Sequence, residues 1–468
     1  MRRIGLTATA IAVALGGGAY LAKSAVSKPT AKPLVGVATV TPVPLPTGPD
    51  YPVPQVKIDA WIVAGDTTAI RGHAWSLWQA MAAPSGQFFN GQELPIWETW
   101  ATGDDVFPTS SAALKAAGAP RAATLAARLA RPRAIRHFRT PNQFHHAALR
   151  SGALKNGSIL GVSSSTVTTK FSPEAATFID TPQPGPGGTY NYSSGASLLK
   201  LNAAWPTSAT PEQRGINPFP VQGVELKPVY GVVKATGLTI QPLWQGPAGS
   251  TRPSNPTPDT WTTCVLISPT GTGPVRPATK AEIASAGPPG ACTTFLWAPL
   301  STFYAVRLSA SEAKEFATAT GKPVAQGDYA VLQAMHVNTK EIPFWTWQTF
   351  WWQPGADTPN GFPGSKQNQP ASLGAPWNNY AACAAYSQTT TVGGSTMQVC
   401  FNPYLETDPS IPVGITSNCM SCHGVAVVGQ GATYPSNYNK PIAFFTDPTY
   451  FTTQNTHTDF SWAVADAQ

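Results

Sequence analysis

Ile342-Pro343-Phe344-Trp345-Thr346-Trp347-Gln348-Thr349-Phe350-Trp351-Trp352 is the stretch from which the fold is read. As a strand, with side chains alternating between faces, it puts Trp345, Trp347 and Trp351 on one side and Phe344, Phe350 and Trp352 on the other. Large aromatics on both sides specify a central strand covered on each face. The cover is plain core, the wall of a cofactor pocket, or a platform that stacks on sugars. Neighbouring segments agree with a sheet: 303–308 and 329–337 read as strands, with a short apolar run at 294–297. Further upstream, 198–201, 224–233 and 238–242 are apolar runs between loops such as PQPGPGG (182–188) and GPAGSTRPSNPTPD (246–259). Nothing between 150 and 260 carries recognisable chemistry.

Composition supports this reading. Of 468 residues only 11% are charged, while Pro (47) and Gly (41) are abundant, as in a loop-rich β protein. Nineteen Phe, 15 Trp and 13 Tyr provide enough apolar area to exclude a disordered chain. The expected class is mainly β with some helix (α+β). A strand is expected at Val56-Lys57-Ile58-Asp59-Ala60-Trp61-Ile62-Val63, and a helix over 73–82, where Trp75, Leu77, Trp78 and Met81 share helical spacing. Asp104-Asp105 reads as a solvated turn rather than a cation site.

The C-terminal part carries the clearest motif: Ser417-Asn418-Cys419-Met420-Ser421-Cys422-His423-Gly424 contains C-x-x-C-H. A chain of this composition produces that pattern by chance about once in a thousand sequences. Two intervening residues let a helical turn set both sulfurs along one porphyrin edge for thioether bonds. The following histidine can then ligate the iron. A thioredoxin-like redox pair would open a βαβ unit, and none is visible; a zinc knuckle would need a second Cys/His pair, and none follows. The expected cofactor is therefore one covalently attached haem c, anchored by Cys419 and Cys422, with His423 as metal ligand.

On these residues the chain resembles the large single-haem exported cytochrome c family proteins of bacteria. The resemblance is specific at Cys419–His423 and only suggestive at the Trp-rich segments. It implies electron transfer between periplasmic donor and acceptor proteins, in the periplasm or on the extracytoplasmic face of the inner membrane. A haem-dependent oxidoreductase acting on a small molecule or peroxide is the alternative. A glycan-stacking module with a haem sensor is a third reading.

The chain departs from small cytochromes c, in which a distal Met lies well downstream of the motif. No methionine follows Met420, which sits between the anchor cysteines. The haem segment should therefore pack against the upstream body. Candidates for the distal position are His336, His457, Met335 and Met397, or the site stays open.

The N-terminus reads as an export signal: Met1-Arg2-Arg3, an uncharged run over 4–22, then small residues near Ala25-Val26-Ser27. The segment 1–27 is either a cleaved signal peptide or a retained membrane anchor. Loss of 1–27 takes Arg2, Arg3 and Lys23 from a formal net charge of +7 and leaves +4. No nucleic-acid partner is implied. Residues 28–55 read as a Pro-rich linker, 56–405 as the β-rich body, and 406–468 as the haem-attachment segment. An Ala/Arg-rich helical insertion near 110–150 carries Arg121, Arg128, Arg131, Arg133, Arg136 and Arg139. It is expected as a solvated helix or a basic docking surface. His145-His146 reads as surface. In an oxidising compartment the remaining cysteines pair most simply as Cys264–Cys292 and Cys383–Cys400.

Overall fold

Six strands form the main path of an antiparallel sheet, and they lie in space in the order of the chain: β1 (Ala101–Thr102), β2 (Lys170–Phe171), β3 (Val224–Val233), β4 (Tyr329–Thr339), β5 (Thr346–Trp352) and β6 (Tyr380–Ala385). Two short strands, Thr166–Val167 and Ala305–Arg307, pair with β3 and β4. The computed structural model describes residues 34–108, 124–140, 154–155, 158–159, 165–355, 366–407, 414–429 and 439–467. The fold is mixed α+β and rich in strands, as the sequence predicts. A second, four-stranded sheet is built from Thr239–Pro242, Thr263–Ser268, Arg276–Pro277 and Thr294–Pro299.

The expected Trp-rich strand is real but shorter. Trp345 has φ of 59°, in the left-handed region, so the extended run starts at Thr346. Every residue of β5 is buried. Register shows why both faces are covered. Glu225 pairs with Asn338 and Asn338 with Trp347; Lys227 pairs with His336 and His336 with Thr349. These six residues therefore share one face. Leu226, Met335, Val337 and Phe350 occupy the other, where they join the largest apolar core with Trp75, Trp78, Trp352 and Tyr380. Trp78 stacks on Phe350 with centroids 4.3 Å apart.

Two helices precede the sheet strands in the chain, and the second of them covers that apolar face. α1 (Gln55–Ala64) replaces the expected strand at 56–63. Ile58, Trp61 and Ile62 form its packed stripe, while Val56 and Val63 are exposed. The i, i+3, i+4 spacing thus prevails over the apparent alternation, and Gly65 closes the helix in the left-handed conformation. α2 (Thr67–Ala82) contains the predicted 73–82 helix. Asp66 caps it by accepting from the Ala69 amide, and it stops before Pro84.

Residues 34–54, expected as part of a spacer, instead lie along the body. Val40, Leu45, Tyr51 and Val53 are buried, and Ala38 bridges to Arg133. Extended Pro-rich chain still has apolar side chains to bury, and here a groove accepts them.

The arginines correct another expectation. Among the described ones, Arg133 and Arg136 are buried rather than solvated. Arg136 grips Glu98 with two nitrogens, and Arg133 bonds Asp105 at 2.7 Å. Asp105 is no solvated turn: it closes a capping box with Thr102 at the start of the short helix Gly103–Val106. Arg121 and His145-His146 lie outside the described residues, as does 1–33.

Both expected disulfides form, Cys264–Cys292 and Cys383–Cys400. They are compatible with an oxidising, extracytoplasmic location. No helix among the described residues is long and apolar enough to cross a membrane.

Candidate functional site

The motif residues Cys419–His423 form a short helix, α3. Asn418 caps it: its side-chain oxygen accepts from the Ser421 amide, and its Nδ2 donates to the carbonyls of Ser387 and Gln398. Just upstream, the Cys400 amide donates to the Ser417 carbonyl. Cys400 is itself bonded to Cys383 on β6. The disulfide therefore ties the motif-bearing segment to the edge of the main sheet. The motif-bearing segment thus packs against the upstream body.

Cys419, Cys422 and His423 line one cavity. The opposite wall is the polar face of the sheet: Glu225 and Lys227 from β3, His336 and Asn338 from β4, Trp347 from β5. Glu406 and Asp466 complete it.

His423 is held as a neutral imidazole. Burial pushes its pKa down to about 3, against the pull of its bond to Phe460. Its Nδ1 donates to the Phe460 carbonyl at 2.9 Å, so Nε2 keeps the lone pair. The Trp347 ring lies against the imidazole, centroids 4.4 Å apart. Neither Cys419 nor Cys422 is disulfide-bonded. Cys419 Sγ donates to the Cys400 carbonyl at 3.5 Å, and burial pushes its thiol up.

The wall is densely charged for an interior. Burial raises the Glu225 carboxyl to about 7, with Ser461 Oγ donating to it at 2.7 Å. Burial lowers Lys227, while the carboxylates of Asp466, Glu406 and Glu225 favour its ammonium form. Glu406 accepts from the Asn402 amide at 2.6 Å and from His336 Nε2 at 3.2 Å.

Of the four distal candidates, only His336 lines this cavity. Met335 points to the opposite face of β4, into the apolar core. His457 packs against Phe445 at 4.2 Å, with Nε2 on the Glu212 carbonyl. Met397 sits in a bridge with Thr389, away from the cavity. Met420 is buried in an apolar cluster that includes Trp347, and Met420 itself does not line the cavity.

Sequence reading passed over Glu225, Lys227 and Glu406. One signal was present. In VELKPVYGVV, two charges stand two residues apart within an apolar strand, so both must face the same, non-apolar side.

The donor set fits a c-type haem: two adjacent thiols outside any disulfide, and a buried neutral imidazole whose second nitrogen is anchored, beside a cavity. Among the described residues no group of three or more His, Cys, Asp or Glu side chains is disposed to hold a metal ion alone. No family model matches the chain, and no curated protein or solved structure is significantly similar to it.

Proposed function

We propose that this protein is an exported c-type cytochrome that carries one covalent haem and passes single electrons between periplasmic partners. The observation that carries the reading is the convergence of Cys419, Cys422 and a tautomer-locked His423 on one cavity. Cys419 and Cys422 would hold the group as thioethers, and His423 Nε2 would ligate its iron. When bound, the haem supplies a one-electron redox centre.

The chain's own residues do the rest. The Phe460 carbonyl fixes the ring orientation of His423 and raises its basicity as a ligand. Trp347 covers one side of that imidazole, and it stands on β5, a strand buried throughout. The Trp347 ring lies 6.3 Å from that of Phe460, and the Phe460 ring 5.6 Å from that of Phe344, a residue 42% exposed. Aromatic side chains thus lead from the ligand to the surface, which suits electron exchange with a docked protein.

The experiment is to mature full-length protein in a periplasm competent for haem attachment and extract it with acidified acetone. Pigment that stays on the polypeptide supports the reading; colourless protein, or pigment that extracts, rules it out.

A second reading, a haem-dependent oxidoreductase, has one observation in its favour. A neighbouring cavity shares Lys227, Thr169, Ala463 and Asp466 with the first. Turnover of peroxide or an aromatic substrate by the holoprotein would select it over electron transfer.

A further inference from the structure

Two imidazoles line the cavity, and each has one ring nitrogen engaged. His423 gives Nδ1–H to the Phe460 carbonyl; His336 has Nε2 against the Glu406 carboxylate. No hydrogen bond among the described residues engages the remaining nitrogen of either ring. A ring nitrogen held by a carboxylate or carbonyl, with its partner left as a lone pair, is the usual condition of a metal-ligating histidine. The arrangement occurs here twice, on segments 87 positions apart in the chain that line the same space.

We propose that His336 is the second axial ligand of the haem iron, through the ring nitrogen that Glu406 does not hold, and that Glu406 is its positioning residue. This rests on the haem reading above and deepens it.

Three further observations favour His336. It sits within the eleven-residue strand β4, with β3 and β5 paired on either side, so its backbone cannot drift. Its side chain is largely but not fully buried, as suits a group that meets a ligand rather than core. Glu406 is itself anchored by the Asn402 amide, so the carboxylate that orients the ring is fixed in turn.

Two histidine ligands make a six-coordinate, low-spin centre of lowered potential, with no open position for peroxide, oxygen or carbon monoxide. The protein is then an electron relay rather than a reactive site.

The test uses oxidised, full-length holoprotein, with optical and EPR spectra taken with and without cyanide. Wild type is expected to be low-spin and slow to bind cyanide. His336→Ala should become high-spin and bind cyanide rapidly, and added imidazole should restore the low-spin spectrum. His336→Met should remain low-spin, gain a sulfur-to-iron charge-transfer band and show a raised potential. Glu406→Gln should stay low-spin with its potential raised, because the ring loses its carboxylate acceptor; a merely structural Glu406 would leave the potential where it is.

A high-spin wild type, or a His336→Ala protein that keeps covalent pigment and stays low-spin, overturns the assignment alone. In the second case a low-spin spectrum lost in Lys227→Ala would move the role to Lys227. Wild type whose pigment extracts into acidified acetone overturns the haem reading and this assignment together. If His336→Ala does not accumulate, near-infrared magnetic circular dichroism of wild type reads the axial pair directly, and any pair other than His/His overturns the assignment.

Discussion

Two buried charged clusters can be set side by side. In one, Glu98 accepts from Arg136 and from Tyr304, Lys170 donates to the carbonyls of Glu98 and Trp100, and Arg133 bonds Asp105. In the other, Glu225, Lys227, His336, Glu406 and Asp466 stand around a cavity. Both contain strongly shifted groups: burial lowers Lys170 to about 7 and raises Glu225 to about 7. Burial and a perturbed pKa therefore do not separate structure from function here. The difference is space. The first cluster pairs its charges with one another, whereas the second lines a cavity beside two thiols and two imidazoles.

If that contrast is right, the two clusters should fail differently. The largest effect belongs to the anchors. Cys419→Ser with Cys422→Ser should abolish covalent pigment altogether, read by absorbance after acid–acetone extraction, while the far-ultraviolet dichroism of the β-rich body is retained. Arg136→Met comes next. It strands the Glu98 carboxylate in the core, which should cost about 3–5 kcal/mol in chemical denaturation. The variant's haem spectrum should be unaltered, and a changed spectrum would mean that the first cluster also serves the site.

Glu225 offers a pH-resolved comparison. Its folded pKa, about 7, stands above the ordinary value of 4.5. Its contribution is therefore complete below pH 4.5 and is lost as pH rises toward 7, a fall of roughly 3 kcal/mol in unfolding free energy. Glu225→Gln should flatten that slope. An unchanged slope would show that Glu225 is not the group responsible. The smallest effect is expected at Asn418→Ala, which removes the α3 cap and should cost about 1–2 kcal/mol with pigment kept. Complete loss of pigment in that variant would mean that the cap is needed for attachment and not only for stability.

The strands were legible where alternation or apolar runs were long, as at β3, β4 and β5. They were misread where a short run fitted both periods. Val56-Lys57-Ile58-Asp59 alternates, yet Ile58, Trp61 and Ile62 bury one helical stripe. The arginines misled for another reason. Composition counts charges without their partners, and Glu98 and Asp105 lie 38 and 28 residues from Arg136 and Arg133. The local disulfide pairings were legible because the simplest pairings close short loops.

Sequence by itself displays the C-x-x-C-H pattern at Cys419–His423. The pattern lies within a single helical turn, which needs no partner segment to define it. Only the tertiary structure decided which earlier residue shares the cavity. Met335 and His336 are adjacent in sequence, and strand geometry sends one into the apolar core and the other toward the motif. That choice depends on which face of β4 is turned to the core, and the face is set by register with strands distant in the chain.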